Sequence, residues 1–150
     1  PDAVIVPCSG GGLAAGVALA VTHLMPGIRL YTAEPAGFED TARSLAAGRR
    51  LRNEPGGRSI CDSLMAAEPG VLTFPINVRL AAGGYAVSDD DVTAAMAFAF
   101  RELKLVVEPG GAAALAALLA GRHDGRGRTT VIVCSGANVD PRTFCEALKA

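Results

Sequence analysis

The β-branched run Ala3 to Pro7 passes through Ser9-Gly10-Gly11-Gly12 directly into an Ala- and Leu-rich stretch, Leu13 to Met25. Branched side chains favour an extended backbone, and Ala and Leu favour a helix. A strand that turns at once into a helix is the first half of a crossover unit, and strands alternating with helices imply a mostly parallel sheet. The pattern recurs. Pro26-Gly27 stops the first helix, and Ile28 to Ala33 alternates as a second strand that ends at Glu34-Pro35. Asp40 is placed to cap a helix from Thr41 to Ala47, which Gly48 closes. Ser88-Asp89-Asp90-Asp91 starts a helix that runs to about Leu103, with carboxylates against the positive end of its dipole. Glu108-Pro109-Gly110-Gly111 opens another, ending at Gly121, and Thr129 to Cys134 reads as a strand buried on both faces. Asp140-Pro141 starts a last helix. Arg49 to Arg58 reads as an exposed loop. Ser59 to Gly84 yields no clear element before a short strand at Gly83 to Val87. These units predict a single domain over residues 1–150: a doubly wound α/β fold with a mostly parallel open sheet and helices on both faces.

Half of the 150 residues are apolar, with 18 Gly and no Trp. That is enough for one core, built from small side chains packed closely. The formal charge of −1 supplies no field to gather nucleic acid or an anionic membrane surface, and no apolar run is long enough to span a bilayer. Cys8, Cys61, Cys134 and Cys145 form no C-x-x-C pair and no metal-spaced cluster, and Cys8 and Cys134 end apolar runs, so we expect small buried thiols in a reducing, cytoplasmic setting. Pro1-Asp2-Ala3-Val4 reads as the lead into a strand, without the Met of a natural beginning. We therefore expect a chain cut from a longer one.

Three segments carry chemistry. At Ser9 to Gly12 the free amides of a helix start meet the helix dipole, and glycines remove the side-chain carbons that would hold an anion away. A phosphate monoester fits there, with the Ser9 hydroxyl as a further donor; a tight turn without a ligand is the alternative. Gly10, Gly12 and Gly16 miss the dinucleotide spacing by one residue, and no Lys follows as a P-loop requires. Ser135, past the third strand, occupies a place equivalent to Ser9, where ligands of open α/β sheets bind. Glu108 precedes a helix, and reads equally as a dipole partner or as a ligand contact.

Taken in order, Ser9-Gly10-Gly11-Gly12-Leu13, Glu34-Pro35, Glu108-Pro109-Gly110-Gly111-Ala112 and Ser135-Gly136-Ala137-Asn138-Val139-Asp140 resemble the second half of fold-type II pyridoxal-phosphate enzymes. The similarity is to the threonine (serine) dehydratase and serine racemase family, over nearly the whole chain. By position, the resemblance implies that Ser9, Gly10, Gly11, Gly12 and Leu13 hold the cofactor phosphate. It implies that Ser135 hydrogen-bonds the pyridine nitrogen and that Glu108 lies close to the ring. In relatives that bind a structural cation, Glu34, the carbonyl of Phe38, and Asp40 occupy the ligand positions. Such an oxygen set suits Mg²⁺ or Ca²⁺, while capping by Asp40 is the competing reading.

The same resemblance implies a small amino-acid substrate, a homo-oligomer, and dehydration of L-threonine or L-serine to a 2-oxo acid and ammonia. The family's Schiff-base lysine belongs to an amino-terminal half that is not present here. Neither Lys104 nor Lys149 matches its motif, so no catalytic residue is assigned and the chain alone is expected to be inactive. Asp62-Ser63 stands where many relatives have Asp-Gly, and Ala137 replaces the second glycine of Ser-Gly-Gly-Asn; both bear on substrate choice. Serine racemase, a β-replacement enzyme and a non-catalytic phosphometabolite-binding domain are the alternative readings.

Overall fold

A computed structural model describes residues 1–149. In chain order the elements are β1 (Ala3–Pro7), α1 (Gly12–Leu24), β2 (Arg29–Pro35), α2 (Asp40–Ala47), α3 (Phe74–Leu80), β3 (Ala81–Val87), α4 (Asp89–Phe98), α5 (Pro109–Leu119), β4 (Thr130–Ile132) and α6 (Pro141–Ala147). The strands form one parallel sheet in the order β3-β2-β1-β4. From β1 the chain steps outward to β2 and β3, then returns across the sheet to place β4 on the other side of β1. The order therefore reverses between β1 and β4, and the gap beyond their carboxyl ends is where this architecture admits ligands.

Every residue of β1 is buried, and its side chains alternate between two cores. Ile5 packs with Ala33, Val87 and the inward faces of α4 and α5. Val4 and Val6 pack with Ala14 and Ala18 of α1 and with Leu30. Each fully buried Ile or Leu stabilises by about 1.5–3 kcal/mol. Helix α5 is buried throughout from Pro109 to Ala117, because Gly and Ala leave no side chain to hold it off the sheet. At Gly110 a Cβ would strike Ser63 Oγ, and at Gly111 it would lie 2.6 Å from the Gly136 carbonyl oxygen.

Helix α4 begins as its sequence predicts. The Asp91 amide donates to Ser88 Oγ at 3.1 Å and the Ser88 amide to Asp91 Oδ2 at 3.0 Å, a reciprocal cap worth about 1 kcal/mol. It continues into a π-helical turn, Ala99–Leu103, and ends at Lys104 in the left-handed region with φ 60°. The stretch from Ser59 resolves into a 3-10 turn at Asp62–Leu64 and helix α3, which has Pro75 in its first turn.

Two expectations need correction. Thr129 to Cys134 is not a strand buried on both faces: β4 spans Thr130–Ile132 and is half-exposed, with Val131 42% exposed. It lies at the sheet edge, so its outer side has no strand to cover it. Nor does Asp40 cap α2. The N-cap is Glu39, without a side-chain bond, and the capping oxygens come from β2, as described below. No helix among the described residues is long and apolar enough to cross a membrane.

Candidate functional site

Buried β1 delivers the chain to Ser9 at the sheet's carboxyl edge, and Gly11 then turns it into α1. Gly11 is the N-cap, at φ 86° and ψ 7°, with no side-chain cap. A β-carbon there would be strained, and it would also strike Asn77 Nδ2 at 2.6 Å. At Gly10 and Gly12 an added Cβ would meet nothing within 4 Å. The loop is therefore open at two glycines and braced at the third. Hydrogen bonds reach its carbonyls from Thr41, Thr73, Gly70, Asn77 and Ala15; among the described residues, none occupies the amides of Gly10 to Leu13. A cradle of free amides at a helix start, with space where Cβ atoms would be, fits a phosphate monoester.

The loop forms one wall of a cavity of about 280 Å³, lined by Pro7 through Ala14, Ser63, Leu64, Glu108 and Ser135. Ser9, Gly10, Gly11, Gly12, Leu13, Glu108 and Ser135 are thus brought together from three separate parts of the chain. Glu108 begins α5, but its carboxylate does not cap that helix. Oε2 accepts from the Asn138 amide at 2.9 Å, and the Glu108 amide donates to the Gly136 carbonyl at 3.0 Å. Glu108 is therefore clasped to the turn that carries Ser135, and Gly136 makes room for it: a Cβ there would lie 2.5 Å from Oε1. Ser63, from the segment that departs from the family pattern, stands in the same wall.

Below the loop lies a buried acidic pair. Glu34, on β2, accepts from the Thr41 amide through Oε1 at 2.9 Å and from the Ala42 amide through Oε2 at 2.8 Å; it therefore supplies the cap that Asp40 does not. Asp40 Oδ1 accepts from Asn53 Nδ2 at 2.6 Å, whereas its Oδ2 is buried without a partner among the described residues. Burial pushes Glu34 up to about 8 and Asp40 up to about 6, since charge is costly away from water. Cys8 is pushed up to about 12 by burial and then by the Glu34 charge, which makes it an inert thiol rather than a nucleophile. Phe38 is buried on the turn between the two acids. Asp40 Oδ2 is the atom of this set that a cation would satisfy. No group of three or more His, Cys, Asp or Glu side chains converges to hold a metal among the described residues.

A larger cavity of about 520 Å³ lies at the other end of the sheet, against His123, Arg126, Arg128 and Thr130. Among the described residues, no helix start lines it. Neither lysine lines the site cavity: Lys104 Nζ donates to the Arg101 carbonyl and Lys149 pairs with Glu146. Residues that sequence reading missed are Leu64 in the wall and Thr41, Gly70, Thr73 and Asn77 behind the loop. The signal for α3 was present in Thr73-Phe74-Pro75, a helix-start pattern.

A family model described as "Pyridoxal-phosphate dependent enzyme" matches residues 1–136. The serine racemase of Dictyostelium discoideum is 37% identical over 152 residues, covering 98% of this chain and 46% of the relative. Among solved structures, a T.th. threonine deaminase superposes with a TM-score of 0.86 at 39% identity, over 93% of this chain and 47% of that one. Maize serine racemase superposes with a TM-score of 0.87 at 38% identity, over 99% and 46%. The chain spans a little under half the length of these relatives.

Proposed function

The chain belongs to the pyridoxal-phosphate dependent enzymes, and from that premise we propose that it anchors the cofactor in an ammonia-lyase that converts L-threonine or L-serine to a 2-oxo acid and ammonia. The observation that carries this reading is the open cradle at Gly10 and Gly12, at the topological switch of the sheet. In this reading the amides of Ser9 to Leu13 bind the phosphate, and the dipole of α1 favours its negative charge. Ser135, across the cavity, donates to the pyridine nitrogen. Glu108, held by the Asn138 amide, fixes the turn on which Ser135 sits and forms the wall beside the ring. When bound, the cofactor draws electron density from the substrate's α-carbon.

Ser135 gives the reading its direction. A carboxylate at that place would keep the pyridine nitrogen protonated and strengthen the electron sink. A neutral hydroxyl does not, which favours prompt loss of a β-hydroxyl over transamination. The cofactor-bearing lysine and the cover over the substrate come, in this reading, from a further part of the polypeptide; the exposed edge of β4 offers a place for it. The reading also includes a homo-oligomer, for which exposed Leu24, Val71 and Leu72 supply apolar surface. A reducing, cytoplasmic setting belongs to it too, in keeping with four free cysteines. A cation at Glu34, the Phe38 carbonyl and Asp40 is proposed on the unpartnered Asp40 Oδ2.

Racemisation of serine is the second reading, since serine racemases are as similar to this chain as the deaminase is. One experiment addresses both. The absorbance spectrum of the full polypeptide, with and without added L-serine or L-threonine, should show bound cofactor that responds to substrate, with accumulation of a 2-oxo acid. D-serine as the main product would select racemisation. A colourless protein that takes up no added cofactor would dismiss both.

A further inference from the structure

Three consecutive carbonyls of the glycine loop are gripped from behind. The Thr41 hydroxyl donates to the Ser9 carbonyl at 3.4 Å, and the Thr73 hydroxyl donates to that of Gly10 at 2.5 Å. The Gly70 amide reaches the same Gly10 oxygen at 3.1 Å. Asn77 Nδ2 donates to the Gly11 carbonyl at 3.2 Å, alongside the Ala15 amide at 2.9 Å. Apart from Ala15, these donors sit on α2, on α3 and just before α3, and none of them lines the site cavity. A trans peptide is planar, so its N–H points opposite to its C=O. Fixing the carbonyls of Ser9, Gly10 and Gly11 therefore aims the amides of Gly10, Gly11 and Gly12 away from α2 and α3. That is the side on which the loop is open.

Two further observations single out α3 and the residues before it. Gly70 lies so close that a Cβ on it would sit 2.8 Å from the Gly10 oxygen, so a side chain there would push the brace off the loop. Asn77 is almost fully buried, yet its Oδ1 has no partner among the described residues. A half-satisfied buried amide works against folding, and the one bond this amide makes is to the loop.

We propose that Thr73 and Asn77 are positioning residues that, with the Gly70 amide, preset the amides of Gly11 and Gly12 for a phosphate monoester. The proposal rests on the phosphate-loop reading above and extends it to side chains that never touch the ligand. A preset cradle does not have to order itself on binding, so the brace acts on affinity for the phosphate and not for the rest of the cofactor.

The test compares pyridoxal phosphate with pyridoxal, which lacks the phosphate, as titrants of the cofactor-free full polypeptide, read by absorbance. Thr73→Val combined with Asn77→Leu should weaken pyridoxal phosphate about tenfold, as loss of hydrogen bonds of ordinary strength implies. Binding of pyridoxal should stay within about twofold, and Thr73→Ser, which keeps the donating hydroxyl, should bind both as the unmodified protein does. If the double variant does not fold, Thr73→Val and Asn77→Leu are each judged by the same ratio. Equal weakening of both titrants, or a folded variant that binds pyridoxal phosphate normally, overturns the positioning role. If the unmodified protein shows no preference for the phosphorylated titrant, the phosphate-loop reading itself has failed.

Discussion

A single methyl group placed at Gly11 and, separately, at Gly12 distinguishes bracing the loop from receiving a ligand. At Gly11 the backbone lies at φ 86°, where an L side chain costs roughly 1–2 kcal/mol. The new carbon would stand 2.6 Å from Asn77 Nδ2 and 3.0 Å from Thr73 Oγ1, and relieving such crowding costs roughly 1–3 kcal/mol more. Gly11→Ala should therefore destabilise by about 2–5 kcal/mol, a fall in Tm of roughly 4–20 °C for a domain of this size. At Gly12 the methyl meets nothing within 4 Å, and replacing Gly by Ala in the first turn of α1 should gain about 0.4–1 kcal/mol. Gly12→Ala should thus melt at or slightly above the unmodified protein, yet bind pyridoxal phosphate at least about tenfold more weakly, because the methyl fills ligand space. Thermal unfolding without cofactor, followed by cofactor titration, measures both. Normal cofactor affinity in Gly12→Ala would refute the reasoning, as would an undiminished Tm in Gly11→Ala.

Ser135→Ala should leave cofactor bound but slow turnover of the full polypeptide; an unchanged kcat would remove Ser135 from the site. If Glu34 and Asp40 hold a cation, a chelator should lower the Tm, because it removes a stabilisation of about 2.7 kcal/mol at a free cation concentration of about a hundred times Kd. Asp40→Ala should abolish that response, and a chelator without effect on the unmodified protein would count against the cation. Burial, reinforced by Arg29 and Arg128, holds the His123 imidazole below its usual range. Because its folded value is depressed, the stability it contributes is present above the unfolded value of about 6.5 and is lost as pH falls below it. Urea midpoints measured from about pH 7.5 to 5 should decline less in His123→Gln than in the unmodified protein; parallel declines would contradict this.

What was legible in the sequence was local. Ala3 to Pro7, the glycines after Ser9 and the Ser88-Asp91 cap are each defined by residues within a few positions of one another, and each forms as expected. What was not legible depends on partners far along the chain. Thr73 and Asn77 meet the loop across separations of 63 and 66 residues, and nothing in their own neighbourhoods announces that contact. Asp40 had the right residue type to cap α2, but Glu34 reaches the Thr41 and Ala42 amides first from the adjoining strand. The apolar composition of Thr129 to Cys134 resembles that of β1, and only the strand order shows that one of them has a neighbour on each side and the other does not. Ser9, Glu108 and Ser135 were each assigned from their motifs; their meeting in one cavity depends on the return of the chain across β1.

The outer rim of β4 presents backbone donors and acceptors that nothing in residues 1–149 claims, beside a half-exposed Val131. In concentrated solution, that seam should pair with an extended peptide able to complete the ladder, another copy of itself included. Self-association of the isolated 150-residue polypeptide would then begin at this rim, and a short peptide that zips onto it should keep the protein dispersed.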